Sequence, residues 1–256
     1  MNEIIVVSYP KCGRTWLRLM LGRALALHFD IPDANLLELE EMATHQPHIP
    51  RIVFSHDGPA NLKSADQLLA DDKQAYVGKR VVLLVRDPAD VVVSYYFERT
   101  RRRERFNPDH FQPFDGNLST FLYEERGGLD SILAFYQGWA NYQHVPAALL
   151  LVRYEDMHAD AGQALRRILD FMGLSEVSME VIEEAVTFGR FDNMRRLEQQ
   201  NSLASERLQP ANPDDPESYK TRRGRVGGFT DYLSPEEIAY IMTKRRQLPP
   251  FYGYSG

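Results

Sequence analysis

Cysteine is almost absent from this chain of 256 residues, which contains one, Cys12. A single thiol excludes an internal disulfide and a cysteine-rich metal site. Long hydrophobic runs are also missing, because no apolar stretch approaches the ~20 residues that a membrane-spanning helix needs. An apolar strand pattern starts almost at Met1, which leaves no room for a signal peptide in front of it. We therefore expect a cytoplasmic protein without a membrane partner.

An excess of basic residues is missing as well. The chain has 30 Lys and Arg residues against 36 Asp and Glu residues, a formal net charge of −6. This balance argues against a general nucleic-acid-binding protein and makes any basic cluster a local feature. Hydrophobic residues (43%) and charged residues (26%) occur at ordinary frequencies for a globular protein. Since neither a repeat nor a domain boundary is visible, one domain over residues 1–256 is predicted.

The strongest pattern lies at the start of the chain. Residues 4–7 are all β-branched, which predicts a strand buried on both faces of a parallel sheet. A Tyr-Pro pair ends the strand, Gly13 permits a tight turn, and helical spacing begins at Thr15. A strand, a turn and a helix N-terminus together form an anion site, to which Lys11 adds a charge. The loop is P-loop-like without being a Walker motif, because lysine precedes glycine; an ordinary connection with a solvated lysine is the alternative.

A second strand is predicted at residues 51–56 and ends in His56. The Asp-Gly-Pro sequence that follows is a turn signature. A histidine at the carboxyl end of a sheet strand lies where open α/β folds bind ligands. Its side chain also suits proton transfer near neutral pH. His56 is therefore a candidate base, and a loop histidine without a task is the alternative.

A third strand, at residues 81–85, gives the clearest buried-strand signal and leads directly into Arg86. Asp87 is placed to cap the next helix, and Pro88 suits its first turn. Arg86 and Ser94 flank that turn and are donors for one phosphate group. The alternative is a structural Arg–Asp pair that caps the helix.

Together, the two loops resemble the cytosolic-type sulfotransferases. The sequence YPKxGxTW at residues 9–16 is similar to the 5′-phosphosulfate loop of that family, and RDPxDVxVSYY at residues 86–96 to its 3′-phosphate segment. The resemblance implies an α/β domain with a central, mostly parallel sheet flanked by helices and a P-loop-like phosphosulfate loop. It also implies an enzyme that transfers a sulfuryl group from 3′-phosphoadenosine 5′-phosphosulfate (PAPS) to a hydroxyl, or less readily to an amine, of a small-molecule or glycosidic acceptor.

Three later segments extend the resemblance. A strand at residues 148–152 leads to Tyr154, whose family counterpart lies near the adenine. Phe191 matches the adenine-stacking aromatic residue, with a core phenylalanine as the alternative. Residues 208–221 are rich in proline and polar residues, which predicts a long exposed loop or lid. The Arg-Arg-Gly sequence that follows, residues 222–224, is similar to a family segment that closes over the 3′-phosphate.

By this resemblance the catalytic residues are His56, which takes the acceptor proton, and Lys11, which neutralises the leaving oxygen. The predicted donor-binding residues are Lys11, Cys12, Gly13, Arg14, Thr15, Trp16, Arg86, Ser94, Tyr154, Phe191, Arg222, Arg223 and Gly224. Because the donor is already activated and the sequence shows no ligand cluster, no metal is expected. Two alternative functions are a P-loop kinase and a non-catalytic nucleotide-binding module. The kinase is disfavoured because the sequence lacks the Gly-Lys-Ser/Thr loop. The module would keep the anion sites but would not need His56.

Three departures from the family pattern affect these expectations. Cys12 lies beside Lys11 at a helix N-terminus, where the pKa of a thiol is lowered; a small filler residue is the alternative. Phe54 occupies a position where many members of the family have lysine, so the sequence does not decide how the acceptor hydroxyl is activated. The usual dimer motif after Phe229 is missing, which leaves the oligomeric state open.

The acceptor class also stays open. An arginine run over residues 99–105 is either a solvated helix face or an attractor of anions. The phenylalanines of this region line an acceptor pocket or belong to the core; they are Phe97, Phe106, Phe111 and Phe114. Aromatic residues would suit a phenol or an apolar alcohol, and arginines an acidic or glycosidic acceptor.

Overall fold

A four-stranded parallel sheet forms the centre of the molecule. The computed structural model describes residues 3–32, 36–102 and 113–254. The strands are β1 (Glu3–Ser8), β2 (Arg51–Ser55), β3 (Arg80–Val85) and β4 (Ala148–Arg153). They lie in the order β2-β1-β3-β4 and all pair in parallel. The predicted α/β class with a central parallel sheet is confirmed.

The apolar runs account for the strands. In β3, residues 81–85 are fully buried, as expected for a strand covered on both faces. Val6 of β1 stands opposite Phe54 on one side and Val82 on the other. The structure extends the predicted strands by one residue at Arg80 and at Arg153, because the ladder continues past the apolar run.

Helices pack around this sheet. In chain order, the α-helices of the described residues are α1 (Arg14–His28), α2 (Leu39–His45), α3 (Ala65–Leu69), α4 (Pro88–Arg101), α5 (Leu118–Phe121), α6 (Leu129–Asn141), α7 (Tyr154–Ala159), α8 (Ala161–Met172), α9 (Met179–Phe188), α10 (Phe191–Gln200) and α11 (Pro235–Arg245). None of them is both long and apolar enough to cross a membrane.

The helix ends follow their sequence signals. Asp87 caps α4 by accepting a hydrogen bond from the amide of Ala89 at 2.9 Å, as the sequence predicts. Ser234 and Glu237 form a reciprocal capping box at the start of α11, as their spacing of three residues favours. These local agreements show that residue spacing alone sets several boundaries.

Residues 208–221 differ from the predicted exposed loop. The tip at residues 212–214 is exposed, but Leu208, Tyr219 and Thr221 near the two ends are buried. The exposed-loop prediction is therefore wrong for both ends of the segment. A lid function remains a prediction.

A buried carboxylate explains why this segment packs inward. Glu198 of α10 is fully buried and accepts hydrogen bonds from the amides of Lys220 (2.6 Å) and Thr221 (2.9 Å). Arg102, also buried, donates to the carbonyls of Ser218 and Gln209. Glu198 and Arg102 lie outside residues 208–221 in the sequence, so no pattern within that segment predicts these contacts.

The strand order places a crevice at the carboxyl ends of β1 and β3. The chain passes from β1 to β2 on one side and then returns to β3 on the other. Ligands bind at such a switch point in open α/β sheets. The loops that follow these two strands are the two predicted anion loops.

Candidate active site

One cavity of about 410 Å³ collects nearly every residue predicted from the sequence. The segment after each of the four strands contributes to its wall, through Lys11, His56, Arg86 and Tyr154. The predicted residues that line it are Lys11, Gly13, Arg14, Thr15, Trp16, His56, Arg86, Ser94, Tyr154, Phe191, Arg222, Arg223 and Gly224. The structure therefore brings segments from the two ends of the chain into one site.

The loop after β1 is a sharply turned anion cradle. Lys11 and Gly13 have φ values of 74° and 93°, in the left-handed region that lysine adopts only under strain. A Cβ atom on Gly13 would stand 2.7 Å from the ring of Tyr154, so both the backbone angle and the close approach require glycine. The turn leads directly into α1, whose first amides and helix dipole favour an anion.

Cys12 faces away from the cavity. Its side chain is fully buried, and its Sγ lies 3.6 Å from the hydroxyl of Tyr136. Burial raises the pKa of the thiol to about 12, which makes the hypothesis of a lowered pKa wrong. The filler interpretation accounts for the residue, which does not line the cavity.

Arg86 links three parts of the site. Its guanidinium donates to the carbonyls of Lys11 (3.3 Å) and Arg225 (3.0 Å) and lies 3.3 Å from a carboxylate oxygen of Asp90. Asp90 in turn accepts hydrogen bonds from the amides of Gly227 (2.9 Å) and Phe229 (3.0 Å). The alternative of an Arg–Asp pair that caps the helix is therefore wrong: Arg86 pairs with Asp90, and this pair joins the segment after β3 to residues 225–229.

We call residues 222–224 the clamp. Arg222 donates to Glu217 (3.0 Å) and to the hydroxyl of Tyr232 (2.6 Å), whereas Arg223 is more exposed and pairs with Asp231 at 3.3 Å. A Cβ atom on Gly224, whose φ is 58°, would clash with the ring of Phe191. The clamp therefore packs on the first residue of α10, and both of its arginines line the cavity.

Aromatic side chains line the cavity beside the cradle. The rings of Trp16 and Tyr154 meet edge to face with centroids 5.7 Å apart. Phe191 is 39% exposed, which leaves ring surface free for stacking. His158 lies near both Trp16 and Tyr154, and its Nε2 is 2.8 Å from the carbonyl oxygen of Gly224. These rings form a slot of suitable chemistry for a nucleobase.

His56 is held as a neutral base. Its Nδ1 lies 2.8 Å from the carbonyl oxygen of Ser8, and because only N–H can donate to a carbonyl, Nε2 keeps a lone pair. Burial, followed by the charge of Arg14, holds the pKa of His56 well below its usual range. The imidazole is therefore unprotonated at neutral pH and able to accept a proton.

Lys11 pairs with a carboxylate that the sequence reasoning missed. Its Nζ lies 2.6 Å from Glu98 Oε2, and Arg102 Nε is 3.3 Å from the same atom. Burial alone would raise the pKa of Glu98, but the charges of Lys11 and Arg102 outweigh it and hold that pKa well below the usual range. Glu98 follows Ser94 by one helical turn on α4, a spacing that places both on one face.

The arginine run does not form an open basic patch in the described residues. Arg99 is buried, donates to the carbonyl of Arg126 at 2.6 Å, and packs near the ring of Phe121. Arg102 is the anchor described above, and Arg101 is exposed. Of this run, Arg103 and Arg105 lie outside the described residues, as do Phe106 and Phe111.

The two described phenylalanines of the same region do not line the cavity. Phe97 is buried beneath the guanidinium of Arg222 at 4.2 Å. Phe114 packs edge to face on Phe121, with centroids 5.0 Å apart. The core interpretation holds for both, and neither offers an aromatic wall to an acceptor.

The cavity also contains charged residues that were not predicted from the sequence as site residues. Besides Glu98, they are Asp90, His158, Arg190, Lys220 and Arg225. Lys220 and Arg225 adjoin the clamp sequence, which is the one local signal that would have found them. Among the described residues, no group of three or more His, Cys, Asp or Glu side chains is arranged to hold a metal ion.

The fold and the cavity define a class: an α/β protein that binds phosphate-type anions at the switch point of a parallel sheet, beside a neutral histidine. The model of the sulfotransferase domain family matches residues 1–245. The chain belongs to this family, and the prediction of a sulfotransferase is confirmed.

Similar proteins agree with this assignment. The chain is 28% identical to cytosolic sulfotransferase 17 of Arabidopsis thaliana over 94% of its own length and 72% of that protein. It is 27% identical to rat (Rattus norvegicus) sulfotransferase 1A1, over 76% of this chain and 67% of that protein. The fold is similar to that of mouse sulfotransferase SULT7A1 complexed with PAP, with a TM-score of 0.62, 22% identity, and coverage of 100% of this chain and 90% of that one.

Proposed function

We propose that the protein transfers the sulfuryl group of PAPS to a hydroxyl group, or less readily an amine, of a small-molecule or glycosidic acceptor. The observation that carries the proposal is the single cavity that contains two anion sites, an aromatic slot and a neutral histidine. PAPS has a 5′-phosphosulfate, a 3′-phosphate and an adenine, so its groups match these features. Support also comes from the PAP complex of the similar mouse sulfotransferase.

The cradle after β1 suits the 5′-phosphosulfate, and Arg86, Ser94 and the clamp suit the 3′-phosphate. Trp16 and Phe191 offer ring surface for the adenine. PAPS supplies an activated sulfuryl group, which needs positioning and charge stabilisation more than covalent help from the protein. The glycines at positions 13 and 224 make room for the rings of Tyr154 and Phe191, which line the same cavity.

In the proposed mechanism, Nε2 of His56 takes the hydroxyl proton as the acceptor oxygen forms its bond to sulfur. The bond from sulfur to the bridging oxygen breaks, and its electron pair remains on that oxygen as part of the 5′-phosphate. Lys11 leaves Glu98 and places its positive charge beside this oxygen. Glu98 retains Arg102 as a partner at 3.3 Å, so the exchange does not leave its carboxylate unpaired.

We also propose a cellular location, a domain organisation and a class of partner. The location is the cytoplasm, because several relatives are cytosolic sulfotransferases. The chain acts as one domain over residues 1–256, with residues 208–221 as a lid over the donor. The acidic net charge of −6 agrees with a nucleotide and a small acceptor as partners rather than a nucleic acid.

Calorimetry with three nucleotides tests the donor assignment. We expect 3′-phosphoadenosine 5′-phosphate (PAP) to bind with micromolar or better affinity. 5′-AMP should bind at least about tenfold more weakly, because 5′-AMP lacks the 3′-phosphate that would face Arg86 and the clamp. Mg-ATP is the comparison for a kinase. Binding of Mg-ATP with no preference for a 3′-phosphate would reject the donor assignment, and tight PAP binding without sulfate transfer to any acceptor would favour a non-catalytic module.

The protonation state of His56 provides a second test. In the donor-free protein, we expect an NMR titration to give His56 a pKa below 6.5, since burial and the charge of Arg14 disfavour the imidazolium. The base form is then present at pH 7 and is lost only as the pH falls through this lowered pKa. Arg14→Gln should raise the pKa, whereas Arg196→Gln, at an exposed site outside the cavity, should not. A His56 pKa above 7 would contradict the neutral-base assignment.

A further inference from the structure

Tyr136 of α6 contacts both anion loops through its hydroxyl group. This hydroxyl donates to the carbonyl of Arg86 at 2.6 Å and accepts from the amide of the same residue at 3.0 Å. It also lies 3.6 Å from Sγ of Cys12, which stands between Lys11 and Gly13 in the cradle. The side chain of Tyr136 is fully buried and does not line the cavity. One buried oxygen atom therefore joins the loop after β1 to the loop after β3.

Cys12 is the donor in its contact with Tyr136. A phenol hydroxyl has one proton to donate, and here that proton goes to the carbonyl of Arg86. The thiol must then donate to the same oxygen. Burial raises the pKa of both groups, that of the thiol to about 12, so both keep their protons at neutral pH. The cysteine that fills this space thus also supplies a weak hydrogen bond to the tyrosine.

The sheet alone does not fix the distance between the two loops. In the register of β1 and β3, the last pair is Ser8 and Leu84, and the cradle turns three residues later, at Lys11. The guanidinium of Arg86 donates to the carbonyl of Lys11 at 3.3 Å, but this group is also proposed to bind the 3′-phosphate. The hydroxyl of Tyr136 makes a connection that does not use a phosphate-binding group.

The end of the described chain supports Tyr136 in turn. Tyr252 is buried, and its hydroxyl donates to the carbonyl of Tyr136 at 2.5 Å. The centroids of the two rings are 5.1 Å apart. Tyr254 donates to Glu155 at 2.7 Å, and the second oxygen of this carboxylate accepts from the amide of Asp87 at 2.8 Å. The last segment therefore supports both Tyr136 and the loop after β3.

We propose that Tyr136, supported by Tyr252, is a positioning residue that sets the distance between the two anion loops. The site then selects a nucleotide by the separation of its two phosphate groups, as in a 3′,5′-bisphosphate. A ligand with a single phosphate does not depend on this separation. The inference rests on the proposed function, and it adds a residue outside the cavity that makes the two anion sites act as one.

Calorimetry with three nucleotides tests this role. PAP and adenosine 2′,5′-bisphosphate carry the same groups and differ in the carbon that bears one phosphate, whereas 5′-AMP reports on the cradle and the aromatic slot. The wild-type protein should bind PAP at least about tenfold more tightly than the 2′,5′-bisphosphate, the value of one charge-assisted hydrogen bond.

Tyr136→Phe removes the hydroxyl and retains the ring. The affinity for PAP should fall about tenfold, because the carbonyl and the amide of Arg86 lose their partner and the loop is no longer fixed. The preference over the 2′,5′-bisphosphate should drop to about twofold or less, and the affinity for 5′-AMP should stay within about twofold. Tyr252→Phe should change the preference in the same direction by a smaller factor, because it leaves the hydroxyl of Tyr136 in place.

Ser131→Ala is the matched control, since it removes another buried hydroxyl from α6, which lies 3.0 Å from the hydroxyl of Tyr9; the preference for PAP should persist. A Tyr136→Phe protein that retains the full preference, or that binds all three nucleotides equally more weakly, would overturn the positioning role while the donor assignment stands. If Tyr136→Phe does not fold, an unchanged preference in Tyr252→Phe overturns it. A wild-type protein without any preference for PAP would reject both proposals.

Discussion

Replacing His56 with alanine is expected to lower turnover by about 10²–10⁴-fold, the usual contribution of a general base. The effect should fall on kcat, because the imidazole acts on the acceptor proton and contacts neither predicted phosphate site. The affinity for PAP should stay within about twofold, a change below the value of one ordinary hydrogen bond. Initial rates with radiolabelled PAPS and calorimetry with PAP measure these two quantities separately.

The choice of control matters because removing a part-buried ring also removes packing. His48 lies outside the cavity and is exposed, so His48→Ala makes the same substitution without touching the site. His56→Gln retains a hydrogen-bond donor for the carbonyl of Ser8 but cannot accept a proton as a base, and it should be as inactive as His56→Ala. Near-full turnover of His56→Ala with a true acceptor would show that another group takes the proton.

Much of the site was predictable because its sequence signals are local. Each predicted loop directly follows a buried apolar strand, and parallel strands bring their carboxyl ends to one edge. Once β1, β2 and β3 are recognised, Lys11, His56 and Arg86 must lie near each other. The clamp was predictable only by resemblance, since its position near the end of the chain carries no such geometric argument.

The charge partners of the site were not predictable in this way. Lys11 and Glu98 are 87 residues apart in the sequence, and pairing depends on how α4 crosses the end of β1. Glu198 of α10 accepts hydrogen bonds from the amides of residues 220 and 221. Because of these bonds, the end of the predicted exposed loop packs against the rest of the protein. Cys12 is the opposite case: its neighbours in sequence allowed either a thiol of lowered pKa or a small filler residue, and the structure decides for the filler because the side chain is fully buried.

The residue after His56 belongs to a deeply buried ionic cluster. Asp57 has a φ of 60° and accepts hydrogen bonds from Lys73 (2.7 Å), Tyr76 (2.8 Å) and Trp139 (3.1 Å). The Lys73 side chain is fully buried. These three donors fix the backbone that carries His56, so the cluster connects folding stability with the position of the base.

Lys73→Met should therefore be strongly destabilising, by about 3–5 kcal/mol in the free energy of unfolding, as found when one partner of a buried ion pair is removed. The substitution preserves the length of the side chain and leaves the carboxylate of Asp57 buried without its cation. Lys73 has a φ of 60°, which methionine must adopt at similar cost, so the backbone contributes little to the difference. Denaturant titration measures the change as a shift of the midpoint.

Two comparisons separate this effect from a general loss of packing. Lys244→Met breaks the exposed pair with Asp130 and should cost no more than about 1 kcal/mol. Lys73→Met combined with Asp57→Asn should be less destabilising than Lys73→Met alone, because no uncompensated charge is then buried. If Lys73→Met proved as mild as Lys244→Met, the cluster would not support the fold. If it were destabilising but left kcat unchanged at low temperature, the position of His56 would not depend on Asp57.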